Sequence, residues 1–410
     1  MTKPFIISKQ IVMQAYKLVK ANAGSAGVDN QSFEDFDKNL KDNLYKIWNR
    51  LSSGSYFPPA VKLVEIPKKD GSLRALGIPT IGDRVAQMVI KLAFEPLVES
   101  VFLPDSYGYR PNKSALDAIE ITRKRCWKQD WVLEFDIKGL FDNISHDLLI
   151  IAVQKHTKCK WTRLYVERWL KAPMQDSKGI LIERSKGTPQ GGVISPILAN
   201  LFMHYVFDKW MKKNHSQIKW CRYADDGLVH AKTKEEVELI LKQLNQRLNE
   251  CGLQIHPSKT KIVYCKDDRR KQNHKNISFD FLGYTFAART VKRASDNSIF
   301  AGFNPAVSKV SIKAMYEKMR SYKWHIRTGL ELGDIAKSFN PVMRGWINYY
   351  GKYYPHDLYF ALRHFTKILV KWVMRKYKRF RGRKIRASNY LQAFIKNHRG
   401  LFVYWKFEIM

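Results

Sequence analysis

RYADDGLVHA, residues 222–231, is the stretch that decides how this chain is read. β-favouring segments flank its centre, IKWCRY before and GLVHAK after, and Asp226-Gly227 is a β-turn dipeptide, so the pattern predicts a hairpin with Asp225 and Asp226 at its tip. Acids are scarce elsewhere: 72 Lys and Arg stand against 37 Asp and Glu, a formal charge of +35. A hard cation such as Mg²⁺ needs oxygen ligands and commonly takes one or two protein carboxylates, with phosphates and water completing its shell. Aspartate is also an ordinary turn residue. The pair alone fits either role.

A third carboxylate lies upstream. WVLEFD, 131–136, reads as a compact strand ending on Asp136, followed by IKGLFDN and a helix starting near Ser145. If Asp136 lies beside Asp225, two Mg²⁺ ions about 3.5 to 4 Å apart could clamp the attacking and leaving oxygens of an in-line phosphoryl displacement. GTPQGG, opening at Gly187, is a loop whose glycines let backbone approach a ligand closely, and a long apolar helix follows it. After the hairpin, Thr233 and Glu236 form a capping box, Val237, Ile240, Leu241, Leu244 and Leu248 a stripe, and Gly252 a stop. Nearer the N-terminus, Asp70-Gly71 among Lys68, Lys69 and Arg74 predicts a basic two-stranded flap over 60–79. Val85, Met88, Val89 and Leu92 then mark one helix, and Ser114 with Asp117 opens another. This order predicts an α+β palm, an antiparallel sheet backed by helices.

A chain of 410 residues, 45% hydrophobic and 13% aromatic, suits a packed protein of two or three domains. Its excess of Lys and Arg beside many aromatic rings points to nucleic acid, since cations neutralise phosphates and rings stack on bases. Cys126, Cys159, Cys221, Cys251 and Cys265 include no CxxC pair, which argues against a disulfide framework or a zinc module. Lysines interrupt the N-terminal MTKPFIISKQIVMQAYKLVK, unlike a signal peptide, and no apolar run reaches the roughly 18 residues that span a bilayer. An intracellular protein without a membrane partner is expected. Past residue 300 the pattern becomes helical and basic: from Arg344 to Arg399, 15 Lys and Arg meet the single acid Asp357. The polar KRASDNS, 292–298, is the expected boundary.

IPKKDGSLRALGIP, YGYRP, EFDIKGLFDN, GTPQGG, RYADD, HPSKTK and FLGY follow one another in an order that resembles the sequence blocks of reverse transcriptases. The likeness is greatest to the reverse transcriptase/maturases encoded by bacterial group II introns, and runs from about residue 25 to about residue 395. It implies a right-hand polymerase fold: an N-terminal extension and the start of the fingers in 1–60, fingers and palm in 61–292, and a helical thumb/maturase domain in 293–410. By matching position, Asp136, Asp225 and Asp226 would be the catalytic triad that holds two Mg²⁺, with Asp225 a surer direct ligand than Asp226. Lys68 and Arg74 would hold the triphosphate of the incoming nucleotide, with Lys69 a substitute for Lys68, and Gln190 would lie against that nucleotide. Phe141 matches the bulky residue that excludes a ribose 2′-OH and so favours dNTPs. Arg110 in YGYRP and Lys259 in HPSKTK would touch the template or primer backbone. SFNPVMRGWINYYGKYY, 338–354, resembles the maturase domain, although helix packing alone could account for Trp346, Tyr349 and Tyr350. Arg344, together with Arg375, Lys376 and Arg379 in the basic run RKYKRFRGRKIR, would contact intron RNA. A helix whose Leu362, Phe365, Leu369 and Trp372 face one way precedes that run.

The implied activity is RNA-directed DNA polymerisation, joined to assistance of intron splicing and retrotransposition. Its partners would be intron RNA, an RNA template, a DNA primer and dNTPs, in the bacterial cytoplasm and at the nucleoid during retrotransposition. Lacking an HNH-type endonuclease segment with cysteine pairs, the sequence resembles the compact members of the family, and target cleavage is not expected. Two other readings use the same motifs. One is a splicing cofactor with a vestigial polymerase site, against which the intact Asp triad, Phe141 and Gln190 argue. The other is a host-adopted reverse transcriptase serving antiviral defence or repair.

Overall fold

A computed structural model of the chain describes residues 3–67, 71, 73–292 and 296–407. It divides into two compact units, Met1–Ala118 with Leu133–Lys261, and Ile119–Val132 with Ile262–Met410.

The first unit is organised around the helix Ile81–Glu99, whose Val85, Val89, Ile90, Phe94 and Val98 are wholly buried. Thr80 caps it by accepting from Asp83 N, and the helix Lys9–Ala21 packs along it. In its first turn the buried Asp83 accepts hydrogen bonds from Tyr56 Oη (2.8 Å), Trp169 Nε1 (2.7 Å) and Gln87 Nε2 (2.9 Å). Gln87 in turn accepts from Ile194 N at 3.2 Å, which ties the end of the GTPQGG loop to this helix. Each buried apolar side chain here contributes roughly 1.5 to 3 kcal/mol.

The two flap strands pair as expected, and Asp70 of the expected Asp70-Gly71 turn lies outside the described residues. Val61–Pro67 and Leu73–Ile78 pair antiparallel with Pro67 opposite Leu73, and the sheet continues through Met174–Gln175 to Leu181–Ile182. A second sheet carries the carboxylates: Lys219–Tyr223 pairs with Asp226–Ala231, and Trp131–Asp136 lies on the far side of the latter. The hairpin turns one step earlier than its sequence suggests. Tyr223 faces Asp226 and Arg222 faces Gly227, so the two-residue loop is Ala224-Asp225, with Ala224 in the left-handed region at φ +57°. Gly227 is a strand residue, required for another reason: a Cβ there would lie 2.1 Å from the Phe135 ring of the neighbouring strand. The capping boxes at Ser114/Asp117 and Thr233/Glu236 both close.

In the second unit the strands Phe279–Phe281, Tyr284–Lys292 and Ile299–Val307 make an antiparallel sheet, followed by the helices Lys309–Ser321, Leu332–Tyr350, Pro355–Lys376 and Lys384–Asn397. Around KRASDNS, the expected boundary, Lys292 pairs with Ile299, and residues 293–295 lie outside the described residues. Leu362, Phe365, Leu369 and Trp372 are all fully buried, as their spacing predicts, and pack with Trp324, Phe339, Phe402 and Trp405 into an aromatic core. Among the described residues no helix is long and apolar enough to cross a membrane.

Candidate active site

Asp136 ends its strand 7% exposed, and its carbonyl accepts from His256 N at 2.8 Å. Asp225 occupies the hairpin loop and Asp226 opens the adjacent strand, so the three carboxylates gather at one end of the sheet. Burial pushes the Asp225 carboxyl up, and the charge of Asp136 adds to this while Lys259 and Arg74 oppose it. Burial, then the charges of Asp225 and Asp136, raise Asp226 to about 7. Like charges crowded in a low-dielectric site resist joint ionisation. Among the described residues, no three His, Cys, Asp or Glu side chains converge into a ready-made metal cage. The donors on offer are hard carboxylate oxygens.

A backbone weave surrounds this end of the sheet. Gly108 of YGYRP packs on the Ala224-Asp225 turn so closely that a Cβ would lie 2.5 Å from Ala224 N. Gly187 N donates to Ile144 O and Thr188 N to Phe141 O, both at 2.7 Å, which binds the GTPQGG loop to the turn after Asp136. Gly77 N donates to Gln190 O, also at 2.7 Å, which binds that loop to the flap. Phe141 and Gln190 consequently line one cavity of about 250 Å³, together with Ala75, Asp142 and Thr188. The Phe141 ring stands edge-on to Tyr109 at 6.4 Å. Arg74 is exposed on its flap strand, and its charge opposes the rise that burial gives the Asp225 carboxyl and the Tyr109 phenol. Lys68 and Lys69 lie outside the described residues.

Two expected nucleic-acid contacts have other partners. The Arg110 side chain is 6% exposed, grips Glu99 at 2.6 Å and donates to the carbonyls of Leu103 (2.7 Å) and Ser106 (2.8 Å). Its donors stabilise the loop around YGYRP. Lys259 Nζ lies 2.5 Å from Asp136 Oδ2, and this contact raises the lysine pKa. It places Lys259 at the carboxylate cluster.

In the second unit Arg344 and Arg375 are exposed, and Arg379 lies over the Phe380 ring at 4.7 Å. Lys376 is committed inside the unit: its Nζ meets Glu331 at 2.5 Å and Leu330 O at 2.7 Å, and its side chain is 14% exposed. Helix packing also claims the aromatic residues of 338–354. Trp346 packs on the core, Tyr349 Oη donates to Leu282 O at 2.8 Å, and Tyr350 Oη donates to Ser311 at 3.2 Å. A groove of about 1510 Å³ in this unit has Arg320, Lys323, Lys367, Lys371, Lys396 and Arg399 on its walls and, among the described residues, no acid in its lining.

The family description reverse transcriptase (RNA-dependent DNA polymerase) matches residues 66–286. The chain belongs to the reverse transcriptase family. The maturase-specific domain of group II introns matches residues 312–391, so a reverse transcriptase domain is joined here to a maturase domain. Protein YkfC of Escherichia coli is 32% identical across 65% of this chain and 77% of its own length. The group II intron-encoded protein LtrA of Lactococcus lactis subsp. cremoris is 27% identical across 85% of this chain and 69% of its own. YGYRP, EFDIKGLFDN, GTPQGG, RYADD and HPSKTK, which resembled reverse transcriptase motifs, are joined in the first unit by these backbone and side-chain contacts.

Sequence reading of this reverse transcriptase passed over Tyr109 and the pair Arg222 and Asp208. Tyr109, 53% exposed with φ +57°, sits against Phe141, and burial together with the Asp225 charge raises its phenol pKa. Its place in YGYRP was the available signal. Arg222 and Asp208 are fully buried, a rare position for charge that a linear pattern does not reveal.

Proposed function

We propose that this reverse transcriptase extends a DNA primer on an RNA template, using Asp136 and Asp225 to hold Mg²⁺ and Asp226 to tune the charge beside them. The reading is carried by one observation: the strand-end Asp136 and the loop Asp225 interact electrostatically at the same end of one sheet, and the Arg74 charge acts on Asp225 from the flap. Mg²⁺ usually takes one or two protein carboxylates and leaves its other positions to phosphate and water, so this pair is a sufficient donor set without a third ligand. When bound, two such ions would supply charge neutralisation at the entering and leaving oxygens. The protein's own residues do the rest. Arg74 offers a cation to the triphosphate from the flap, Gln190 and Phe141 shape the cavity for the nucleotide, and Phe141 crowds the space a 2′-OH would need. The primer 3′-OH attacks the α-phosphate, and pyrophosphate leaves toward the basic flap.

The maturase domain supports intron RNA as the partner of the second unit. Its groove walls offer cations for phosphates, and Arg344, Arg375 and Arg379 add exposed charge. The test of the polymerase reading is Asp136→Asn combined with Asp225→Asn, assayed with an RNA template, a DNA primer, dNTPs and Mg²⁺. Synthesis should disappear while RNA affinity stays within about twofold, because an exposed-charge RNA surface does not depend on these carboxylates. Normal extension by the double variant would sink the assignment.

A further inference from the structure

Beneath the catalytic hairpin lies a buried ion pair that the chemistry described so far does not use. The Arg222 side chain is 1% exposed and that of Asp208 is wholly buried. The guanidinium spends its full set of five N–H donors. Nε and Nη2 grip Asp208 at 2.8 and 2.7 Å, Nη2 also reaches Ser106 Oγ at 2.8 Å, and Nη1 donates to Asn200 Oδ1 at 3.0 Å and to the Ala224 carbonyl at 3.1 Å. Asp208 stands at the end of a single π-helical turn, His204–Asp208, which interrupts the helical run beginning at Ser195. Such turns are uncommon and frequent at functional sites. Burial would push the Asp208 carboxyl up, yet the Arg222 charge and hydrogen bonds hold it below the usual carboxylate range.

The fifth of those bonds ends on the residue that most needs holding. Ala224 adopts φ +57°, a region that costs a non-glycine residue about 1 kcal/mol or more, and Asp225 follows it directly. Asn200, the acceptor of one Nη1 proton, itself donates to Gly108 O at 2.6 Å, and Gly108 packs on Ala224 N. Arg222 N and O extend the same connection, bonding Asp105 O at 3.0 Å and Tyr107 N at 2.8 Å. A buried ion pair is a poor source of stability, since apolar residues of equal volume often do as well. What an apolar replacement cannot do is satisfy the Ala224 carbonyl while fixing the loop. Lysine cannot either, because it lacks the planar fork that reaches four partners at once.

We propose that Arg222, anchored by Asp208, is a positioning residue that locks the Ala224-Asp225 loop in its left-handed conformation and so aims Asp225 for catalysis. The inference rests on the polymerase reading above. Arg222→Lys is compared with the unaltered full-length protein in single-nucleotide primer extension, in template-primer affinity, and in the binding of Mn²⁺ alone followed by electron paramagnetic resonance. The expected result is a kcat lower by about tenfold to a hundredfold, as for a reacting group misplaced by a fraction of an ångström to one ångström. KM for dNTP and affinity for template-primer should stay within about twofold, and Mn²⁺ should bind several-fold more weakly, since no substrate-contacting group has been removed. Adding Ala224→Gly should restore part of the lost kcat, because glycine takes positive φ without strain. Unchanged kcat and Mn²⁺ binding would overturn the proposal. So would a loss of kcat matched by equal losses of RNA affinity and folded fraction with no recovery on Ala224→Gly. If Arg222→Lys folds poorly, Asp208→Asn, which keeps the side-chain volume and frees the guanidinium, is judged by the same measurements. Absence of extension by the unaltered protein would instead defeat the polymerase reading itself.

Discussion

At position 141 a phenylalanine ring, edge-on to Tyr109, shares a cavity of about 250 Å³ with Gln190. A ring in that cavity acts by volume, so its removal should change which sugar is tolerated more than it changes affinity for the base. Phe141→Ala is expected to narrow the preference for dNTP over rNTP by about tenfold or more, the scale on which one group in a pocket discriminates. The ratio of kcat/KM values in primer extension measures it. An unchanged ratio with a lowered Tm would make Phe141 a packing residue. Other single residues behaved less simply. Arg110 and Lys259 look like free cations in the sequence, but each has a carboxylate partner distant in the chain, Glu99 and Asp136. A sequence supplies the charge of such a residue and not its address.

Elements were legible where their causes are local. The strand ending on Asp136, the capping boxes at Ser114 and Thr233 and the flap hairpin all follow from residues a few positions apart, and all form. What escaped depends on contacts across the fold. Gly227 reads as a turn glycine, yet its demand comes from the Phe135 ring on the next strand, and the true loop one step earlier contains an alanine held at positive φ. Likewise residues 119–132 cluster with the C-terminal unit although they adjoin the palm strand in sequence. The GTPQGG loop is the element on which such contacts concentrate. Gly191 has φ +121°, and a Cβ would meet Gly77 O at 2.4 Å. Gly191→Ala should therefore push the loop off the flap strand and break the bond from Gly77 N to Gln190 O. The expected outcome is a KM for dNTP raised several-fold, template-primer affinity unchanged, and a stability loss of about 1 to 3 kcal/mol typical of overpacking. Steady-state kinetics and denaturant unfolding check both parts, and a wild-type KM would detach this loop from nucleotide binding.

Across the whole molecule, charge sets the response to pH and salt. Burial, first among the causes, lowers the pKa of His156, His215, His325 and His364, and neighbouring cations lower His156, His325 and His364 further. In the unfolded chain these imidazoles take up protons near pH 6.5, while in the folded protein they resist. On account of these imidazoles the unfolded state binds more protons and stability falls as pH drops through about 6.5 toward 5, whereas Asp226, raised to about 7, works the other way because the folded state keeps its proton there. Carboxylates such as Glu120, held near 2 by Lys124 and Lys352, lose their contribution only at lower pH. In Asp226→Asn, which removes the opposing carboxyl, a Tm that stayed level from pH 7 to 5 would contradict the histidine contribution. The salt response separates two modes of RNA binding. Each phosphate neutralised along the basic groove should steepen the fall of log affinity with log salt by about 0.7 to 0.9. Lys367→Gln with Lys371→Gln removes two groove cations, and should make the slope shallower by roughly one per lysine for intron RNA and random RNA alike. Recognition of intron shape should survive as an affinity ratio that barely moves with salt, because stacking and shape complementarity release few counterions. Filter binding of the full-length protein to both RNAs across a salt series measures slope and ratio together. A ratio near one at moderate salt would leave the groove a general polyanion site, and would confine the chain's specificity to its polymerase chemistry.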